Sequence, residues 1–261
     1  MMKVKATNGK SLLVDTFVIV AISILICFFS KKLLLMSIVV PLILAVRLIY
    51  TLIRFDEKKQ EIILYTICTI LGAFNDWNSV VGKGVYDYHA PVYFPEFSTI
   101  PIWMLLYWGM ILRYMAAVAW WPGLGKDVEL KNEVHLGSKV WKSTPTKIIL
   151  QLAIVFVTRQ FIYHYYLDSV LSFAPFVVAL ILYSLIFRPN KREIKLGLLC
   201  ISLGTVVEIL YIGAGDLHYY HHGILFGVPI WISLWWSLSV IIWKDIYKLI
   251  EQKISSPSIC N

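Results

Sequence analysis

The stretch LLLMSIVVPLILAVRLIYTLI, residues 33–53, decides the fold class because it contains a single charged side chain, Arg47. A run of about twenty apolar residues is the length of helix that crosses roughly 30 Å of hydrocarbon. The preceding run LLVDTFVIVAISILICFFS, residues 12–30, is similar and is separated from it only by Lys31 and Lys32. These two runs predict two membrane spans joined by a tight turn.

Further apolar runs of similar length occur along the rest of the chain. They lie near residues 61–81, 100–120, 146–166, 169–187, 196–213 and 228–247. Only 15% of the residues are charged and 59% are hydrophobic, whereas a soluble domain carries about 25% charged residues. This composition excludes a water-soluble globule and predicts an all-α, polytopic transmembrane bundle of about eight spans.

The basic residues predict the orientation of the spans. With eight spans, only Lys31, Lys32 and Lys83 fall on one side of the membrane, and most other Lys and Arg fall on the opposite side. Positive loops stay in the cytoplasm, so we expect a multi-pass protein of the plasma (inner) membrane with both termini cytoplasmic. Because the basic residues sit in these short loops, we expect membrane lipid as a partner and no nucleic acid.

Two halves of the chain share an ordered set of identical residues. The pairs are Pro41, Ala45 and Arg54 with Pro175, Ala179 and Arg188; Glu61, Cys68 and Gly72 with Glu193, Cys200 and Gly204; and Tyr88, Pro101, Trp103 and Trp108 with Tyr220, Pro229, Trp231 and Trp236. Asp76 aligns with Glu208 in the same series. This order predicts a duplication.

The duplication predicts a division of the chain into residues 1–120, a first four-helix repeat, 121–145, a cytoplasmic linker, and 146–261, a second four-helix repeat. Because each half has four spans, both halves enter the membrane in the same direction and form a parallel repeat. A site shared by the halves would lie on the axis between them. The alternative is that duplication only builds a symmetric bundle.

Asp76 and Glu208 fall in the outer parts of the third and seventh runs. Ionisable groups within a membrane are costly unless they face a cavity or a partner, so both are candidate catalytic acids. The alternative is that they form buried ion pairs with the intramembrane cations Arg47, Arg113 and Arg159, which would fix the packing of the helices.

The outer loops after the third and seventh runs concentrate histidine and tyrosine. We expect an extracytoplasmic pocket there, with His218 and His221 as catalytic candidates and His89, Tyr88 and Tyr220 as substrate-binding candidates. The alternative is an aromatic belt, in which such residues lie at the level of the lipid headgroups.

The string His218-Tyr-Tyr-His221-His222 has the His-x-x-His-His spacing of membrane di-iron enzymes. Those centres need several such boxes, and this chain has only one, so we expect no di-iron centre. A single metal held by His218, His222 and Asp216 is a weaker hypothesis, since imidazole and carboxylate suit several transition metals. No cofactor is indicated by the sequence.

Tryptophans recur in the fourth and eighth runs after matching Pro-Ile-Trp openings. Trp103 with Trp108, and Trp231 with Trp235 and Trp236, would give each half an aromatic face for an apolar ligand, and Arg159 would line the same site. The alternative is that these rings simply pack in the core.

The string Gly204, Glu208, Gly215, Tyr220, Pro229-Ile230-Trp231 and Trp236, with its copy in the first half, resembles patterns in uncharacterised bacterial inner-membrane protein families. More distantly, it is similar to the membrane carotenoid-hydratase family, which has an acidic residue, glycines, Tyr and a Pro before an aromatic run. That resemblance implies that Asp76 or Glu208 donates a proton to a polyene double bond.

Two functions remain after these considerations. The first is a membrane-embedded enzyme or binder of a lipid or isoprenoid-like hydrophobic small molecule. The alternative is a small-solute or proton-coupled transporter, in which the same acids and Arg159 line a path near the repeat axis. No phosphate-binding loop, Gly-x-Ser-x-Gly elbow or His-Glu-x-x-His motif is present, so ATP-driven transport and hydrolysis by a familiar elbow are disfavoured.

Overall fold

The computed structural model describes residues 7–54, 58–125 and 131–255, and these ranges contain eight long α-helices, one for each predicted apolar run. The helices are α1 (Gly9–Phe29), α2 (Leu33–Arg54), α3 (Lys58–Trp77), α4 (Ile102–Ala119), α5 (Thr144–Tyr165), α6 (Ser169–Phe187), α7 (Lys191–Gly213) and α8 (Ile230–Ser255). A π-helical turn, Asn78–Gly82, extends α3 over the rest of its predicted run.

Six of the helices, α1, α2, α4, α5, α6 and α7, are long and apolar enough to cross a membrane. Large apolar side chains on them face outward: Phe17 is 73% exposed and Phe28 75% exposed. Contiguous apolar surface of this kind is rare on soluble proteins and matches a lipid-facing surface. Helices α3 and α8 are not among these six.

Polar residues at the helix starts explain where several helices begin. The Asp168 side chain accepts hydrogen bonds from two backbone N–H groups at the start of α6. Asn190 and Glu193 form a reciprocal capping box at the start of α7. Such caps satisfy backbone donors that the first helical turn leaves without partners.

The helix pairs α3–α4 and α7–α8 pack closely at two glycines that the sequence alignment pairs. A Cβ atom at Gly72 would lie 2.8 Å from Trp108 Cβ, and one at Gly204 would lie 2.7 Å from Trp236 Cγ. Only a residue without a side chain allows each tryptophan to lie this close to the facing helix. The glycines therefore set the positions of Trp108 and Trp236.

Two small sheets lie at opposite ends of the bundle. Strands β1 (Tyr86–Tyr88) and β4 (His218–Tyr220) pair at one end, which we call the β1–β4 end. Strands β2 (Glu133–Leu136) and β3 (Lys139–Lys142) form a hairpin at the other, the hairpin end. Neither sheet was predicted, and the segment predicted as a linker is partly anchored because Val134 is fully buried in the core.

A buried charge cluster ties α1, α2, α3 and α4 together towards the hairpin end. Arg47 Nε donates to Asp15 Oδ1 over 2.8 Å, and Arg47 Nη1 donates to Glu61 Oε1 over 2.5 Å. Arg113 Nη2 lies 3.2 Å from Glu61 Oε2. These two cations and two carboxylates balance, which lowers the cost of burying any one of them.

A second balanced cluster joins α5, α7 and α8 at the same end. Lys147 Nζ lies 2.6 Å from Asp245 Oδ2, and Lys244 Nζ lies 2.6 Å from Asp245 Oδ1. Lys244 Nζ also lies 2.7 Å from Glu193 Oε1. Gln151 Nε2 donates to Asp245 over 2.9 Å. Each half of the chain therefore contains one balanced cluster of buried charges.

Candidate functional site

The two halves of the chain meet in the antiparallel pair of β1 and β4. Tyr86 lies opposite Tyr220, Asp87 opposite Tyr219, and Tyr88 opposite His218. Each strand follows the helix that carries one of the predicted acids, α3 with Asp76 and α7 with Glu208. The pairing therefore brings the surroundings of the two acids together.

Asp76 is fully buried and is held by two tyrosines of its own half. The Tyr86 hydroxyl donates to Asp76 Oδ1, and the Tyr88 hydroxyl donates to Oδ2 over 2.9 Å. Burial, followed by the charge of Asp76, raises the pKa of Tyr86 and of Tyr88 well above the ordinary value. Both tyrosines are therefore neutral donors at physiological pH.

Glu208 has a corresponding set of donors in the second half and is 7% exposed. His218 Nε2 lies 3.0 Å from Glu208 Oε2, and the Tyr220 hydroxyl donates to the same oxygen over 3.4 Å. Trp236 Nε1 donates to Glu208 Oε1 over 3.2 Å. His218 and Tyr220 thus contact the second acid as their aligned residues Tyr86 and Tyr88 contact the first.

The alternative in which arginines pair with these acids is wrong for the described residues. Arg47 and Arg113 contact Glu61 instead, and neither Asp76 nor Glu208 has an arginine or lysine partner within 4.0 Å. Tyrosine, histidine and tryptophan supply all the hydrogen bonds to the two acids. Neutral hydrogen-bond donors therefore replace ion pairs at this site.

Aromatic contacts connect the two acids through the centre of the protein. The Tyr86 ring centroid lies 5.5 Å from that of His218 and 5.1 Å from that of Tyr220. Trp108 and Trp236 stack on each other with centroids 6.0 Å apart. A change at either acid will therefore affect residues that the other acid holds.

A small pocket of about 40 Å³ lies between α3, α4, α5, α7 and α8 beside this aromatic centre. Its described lining comprises Asn75, Ser79, Val85, Tyr86, Trp108, Arg159, Ile162, Tyr163, Glu208, Tyr220, Trp231, Ile232, Trp235 and Trp236. A mostly apolar and aromatic lining with a few polar groups is typical of small-molecule sites.

The pocket contains only some of the predicted site residues. Glu208 and Arg159 line it, as do the predicted substrate-binding residues Tyr220, Trp108, Trp231 and Trp236. Asp76 does not line it and reaches it only through Tyr86. His218 and Tyr88 do not line the pocket; His218 contacts Glu208, and Tyr88 contacts Asp76.

Trp103 does not belong to the pocket. It is 1% exposed and packs in the hydrophobic core near α1 and α2. Trp108 instead lines the pocket, so the two tryptophans point from α4 into different parts of the protein. For Trp103 the core-packing alternative is therefore the one that the structure bears out.

His89 and His221 lie outside the pocket, on the surface of the β1–β4 end. His89 Nδ1 lies 2.6 Å from Asp216 Oδ1, and Lys31 Nζ lies 2.8 Å from Asp216 Oδ2. Hydrogen bonds from Lys31 and then His89 lower the pKa of the Asp216 carboxyl. His221 Nε2 lies 3.3 Å from Asp87 Oδ2, so both histidines belong to surface ion pairs.

The three residues considered for a metal do not converge. His218 contacts Glu208, Asp216 contacts His89 and Lys31, and His222 Nε2 lies 2.7 Å from Ser169 Oγ. Among the residues that the structure describes, no group of three His, Cys, Asp or Glu side chains is placed to hold a metal ion. The histidines of the His-x-x-His-His string are therefore not arranged as the ligands of one metal ion in the described residues.

Several pocket residues were missed by the sequence analysis. Asn75 and Ser79 come from the end of α3 and the π-helical turn, and Tyr163 comes from α5, one turn after Arg159. The spacing of Arg159 and Tyr163 is a usable signal, because residues four apart on a helix are neighbours. Nothing in the sequence indicated that residues of α3 and α5 would line the same pocket.

The fold and the site define a class of protein: a helical bundle with the multiple apolar helices of a multi-pass membrane protein and an internal aromatic pocket. No family model, curated protein or solved structure matches the chain.

Proposed function

We propose that this membrane protein binds a lipid- or isoprenoid-like apolar molecule in the aromatic pocket and acts on it through Glu208. One observation carries the proposal: Glu208 lines a pocket whose walls include Trp108, Trp231, Trp235 and Trp236. Tryptophan walls favour an apolar chain, and a carboxyl group in the same cavity can deliver a proton to it.

In this proposal the other polar residues position Glu208 and the pocket walls. His218 and Tyr220 fix the Glu208 carboxyl through hydrogen bonds. Asp76 holds Tyr86, whose ring reaches the pocket. Of these residues, Glu208, Tyr220 and Tyr86 line the pocket and would contact the ligand, whereas His218 and Asp76 would not.

The step that this arrangement favours is acid-assisted addition of water to a carbon–carbon double bond. The Glu208 carboxyl would give its proton to one alkene carbon, and water would bond to the other carbon. The proton lost by that water would return to the carboxylate, so that the acid is regenerated. The resemblance to carotenoid hydratases implies this role for Asp76 or Glu208, and of these two Glu208 lines the pocket.

We propose in addition that all eight helices span the plasma (inner) membrane, as two parallel four-helix halves with both termini in the cytoplasm. The matching positions of Gly72 on Trp108 and Gly204 on Trp236 support two equivalent halves. The buried charges of α8 are balanced by Lys147 and Glu193, which reduces the cost of placing that helix in a membrane.

This topology predicts the location of the carboxyl terminus. A phosphatase and a fluorescent reporter, each fused after Asn261, should read as cytoplasmic because the positive loops face that side. The same phosphatase inserted after Glu96, in the loop before α4, should be active as an extracytoplasmic enzyme. An active phosphatase after Asn261 would contradict an even number of spans.

The alternative function, a small-solute or proton-coupled transporter, is not supported by an observation comparable to Glu208 in the tryptophan-lined pocket. A proton-coupled path would need free ionisable groups towards both ends of the bundle. At the hairpin end, Arg47 forms ion pairs with Asp15 and Glu61, and Asp245 forms ion pairs with Lys147 and Lys244. The pocket residues instead lie towards the β1–β4 end.

Trp235→Ala is expected to reduce the amount of retained ligand by at least about 10-fold, because truncating a central aromatic wall typically costs 2 kcal/mol or more in binding. The measurement is native mass spectrometry of the protein purified in a mild detergent. Trp141→Ala is the matched control, since Trp141 is 48% exposed on β3, far from the pocket. Equal retention by both variants would contradict the assignment of the pocket.

A further inference from the structure

Arg159 lies on the pocket wall without a carboxylate partner. Its Nη2 donates to Ser79 Oγ over 2.8 Å and to the Asn75 carbonyl over 3.4 Å. Its guanidinium carbon lies 5.0 Å from the ring centroids of both Tyr163 and Trp235. The cation is thus held between two aromatic rings, and neutral groups accept its hydrogen bonds.

Four buried cations of the described chain differ from Arg159. Arg47, Arg113, Lys147 and Lys244 each have a carboxylate within 4.0 Å. Arg159 has none among the described residues, although Glu208 lines the same pocket. An unpaired charge in a membrane interior is costly and commonly marks the site of a charged ligand.

A second pocket residue also has an unused donor. Trp231 is 5% exposed, and its Nε1–H has no hydrogen-bond acceptor among the described residues. Trp231 lies one helical turn from Trp235, which contacts Arg159. A buried donor without an acceptor is unfavourable, and a ligand oxygen would supply the missing acceptor.

Nearby charges add to the positive character of this part of the pocket. Lys83 Nζ lies 5.8 Å from the centroid of the same Tyr163 ring that Arg159 contacts. Lys83 also has no carboxylate within 4.0 Å in the described chain. Glu208 contacts His218 and accepts hydrogen bonds from Tyr220 and Trp236, so it is not the partner of Arg159.

We infer that the ligand is an anionic amphiphile whose phosphate or carboxylate end binds Arg159 and the Trp231 indole N–H, while its apolar chain lies against the remaining tryptophans. This inference rests on the proposed function because it names the polar end of the same ligand. Arginine suits this role, since its planar guanidinium donates several hydrogen bonds to phosphate or carboxylate oxygens. An anion there would supply the partner that Arg159 lacks.

The test compares three probes on the purified, intact protein in a non-ionic detergent. The probes are farnesyl phosphate, farnesol and inorganic phosphate, and binding is followed by native mass spectrometry and by quenching of tryptophan fluorescence. Farnesyl phosphate should bind at least about 10-fold more tightly than farnesol, because a charge-assisted hydrogen bond contributes about 1.5–3 kcal/mol. Inorganic phosphate should neither bind with comparable affinity nor displace farnesyl phosphate, since it lacks the chain.

Arg159→Gln should remove this preference, so that farnesyl phosphate binds no better than farnesol, while farnesol binding stays near the wild-type value. Arg188→Gln, at the exposed end of α6 by the hairpin end, is the matched control and should keep the preference. Thermal melting of each variant in detergent checks that it remains folded.

The outcomes separate this inference from the proposed function. Equal binding of farnesol and farnesyl phosphate by the wild-type protein would overturn the anionic end and leave the apolar pocket standing. Binding of neither chain would overturn the proposed function. Tight binding of inorganic phosphate alone would overturn the amphiphile and identify a free anion as the ligand.

Discussion

Arg47→Met is expected to lower the free energy of unfolding by about 3–5 kcal/mol, because it leaves buried carboxylates without their cation. The Arg47 side chain is fully buried, and that of Asp15 is 1% exposed. Asp15 has Arg47 as its only described ion-pair partner, whereas Glu61 retains Arg113. The measurement is the unfolding transition in mixed detergent micelles, followed by circular dichroism.

Arg54→Met is the control for this prediction, because Arg54 is exposed at the end of the same helix. It removes the same side chain and should change the free energy of unfolding by less than about 0.5 kcal/mol. Equal stability of the Arg47 and Arg54 variants would show that the buried cluster does not hold α1, α2 and α3 together.

Glu208→Gln is expected to slow conversion of the bound ligand by about 10²–10⁴-fold, the usual contribution of a general acid. Glutamine keeps the shape of the side chain and can still accept hydrogen bonds, but it cannot supply a proton. Ligand retention should therefore change little while the yield of product falls. Chromatography with mass spectrometry of the ligand recovered after incubation in water measures both quantities.

Asp76→Asn should show a smaller loss than Glu208→Gln, because Asp76 acts on the pocket through Tyr86 and does not line it. His135→Ala is the control, since His135 lies on the hairpin and contacts Glu133. If the Glu208 and His135 variants converted ligand equally well, Glu208 would not be the acid.

The positions of all eight helices could be predicted from the sequence because each contains a long apolar run. The β1–β4 pairing could not, since Tyr86–Tyr88 and His218–Tyr220 are only three residues each and lie far apart in the chain. Pairing of short, distant strands depends on where the helices place them. The partner of Arg47 was missed for the same reason, because Asp15 lies on a different helix.

The acids and most of the tryptophans could be predicted as site residues because such groups are unusual in membrane spans. Their grouping could not be predicted from residue type alone. Helical geometry places Trp231 and Trp235 on one face, since residues four apart are neighbours. The different directions of Trp103 and Trp108 required the structure. Arg159 was predicted to line the site, but its neutral partners Asn75 and Ser79 could not be predicted, because they lie on another helix and the turn that follows it.

The most direct test is the native mass spectrum of the wild-type protein, purified from its cells without added ligand, with fragmentation of whatever remains bound. The account predicts one retained molecule per chain, with an apolar chain and an acidic end. Bare polypeptide, or ordinary membrane lipids retained to the same extent by Trp235→Ala, would contradict it.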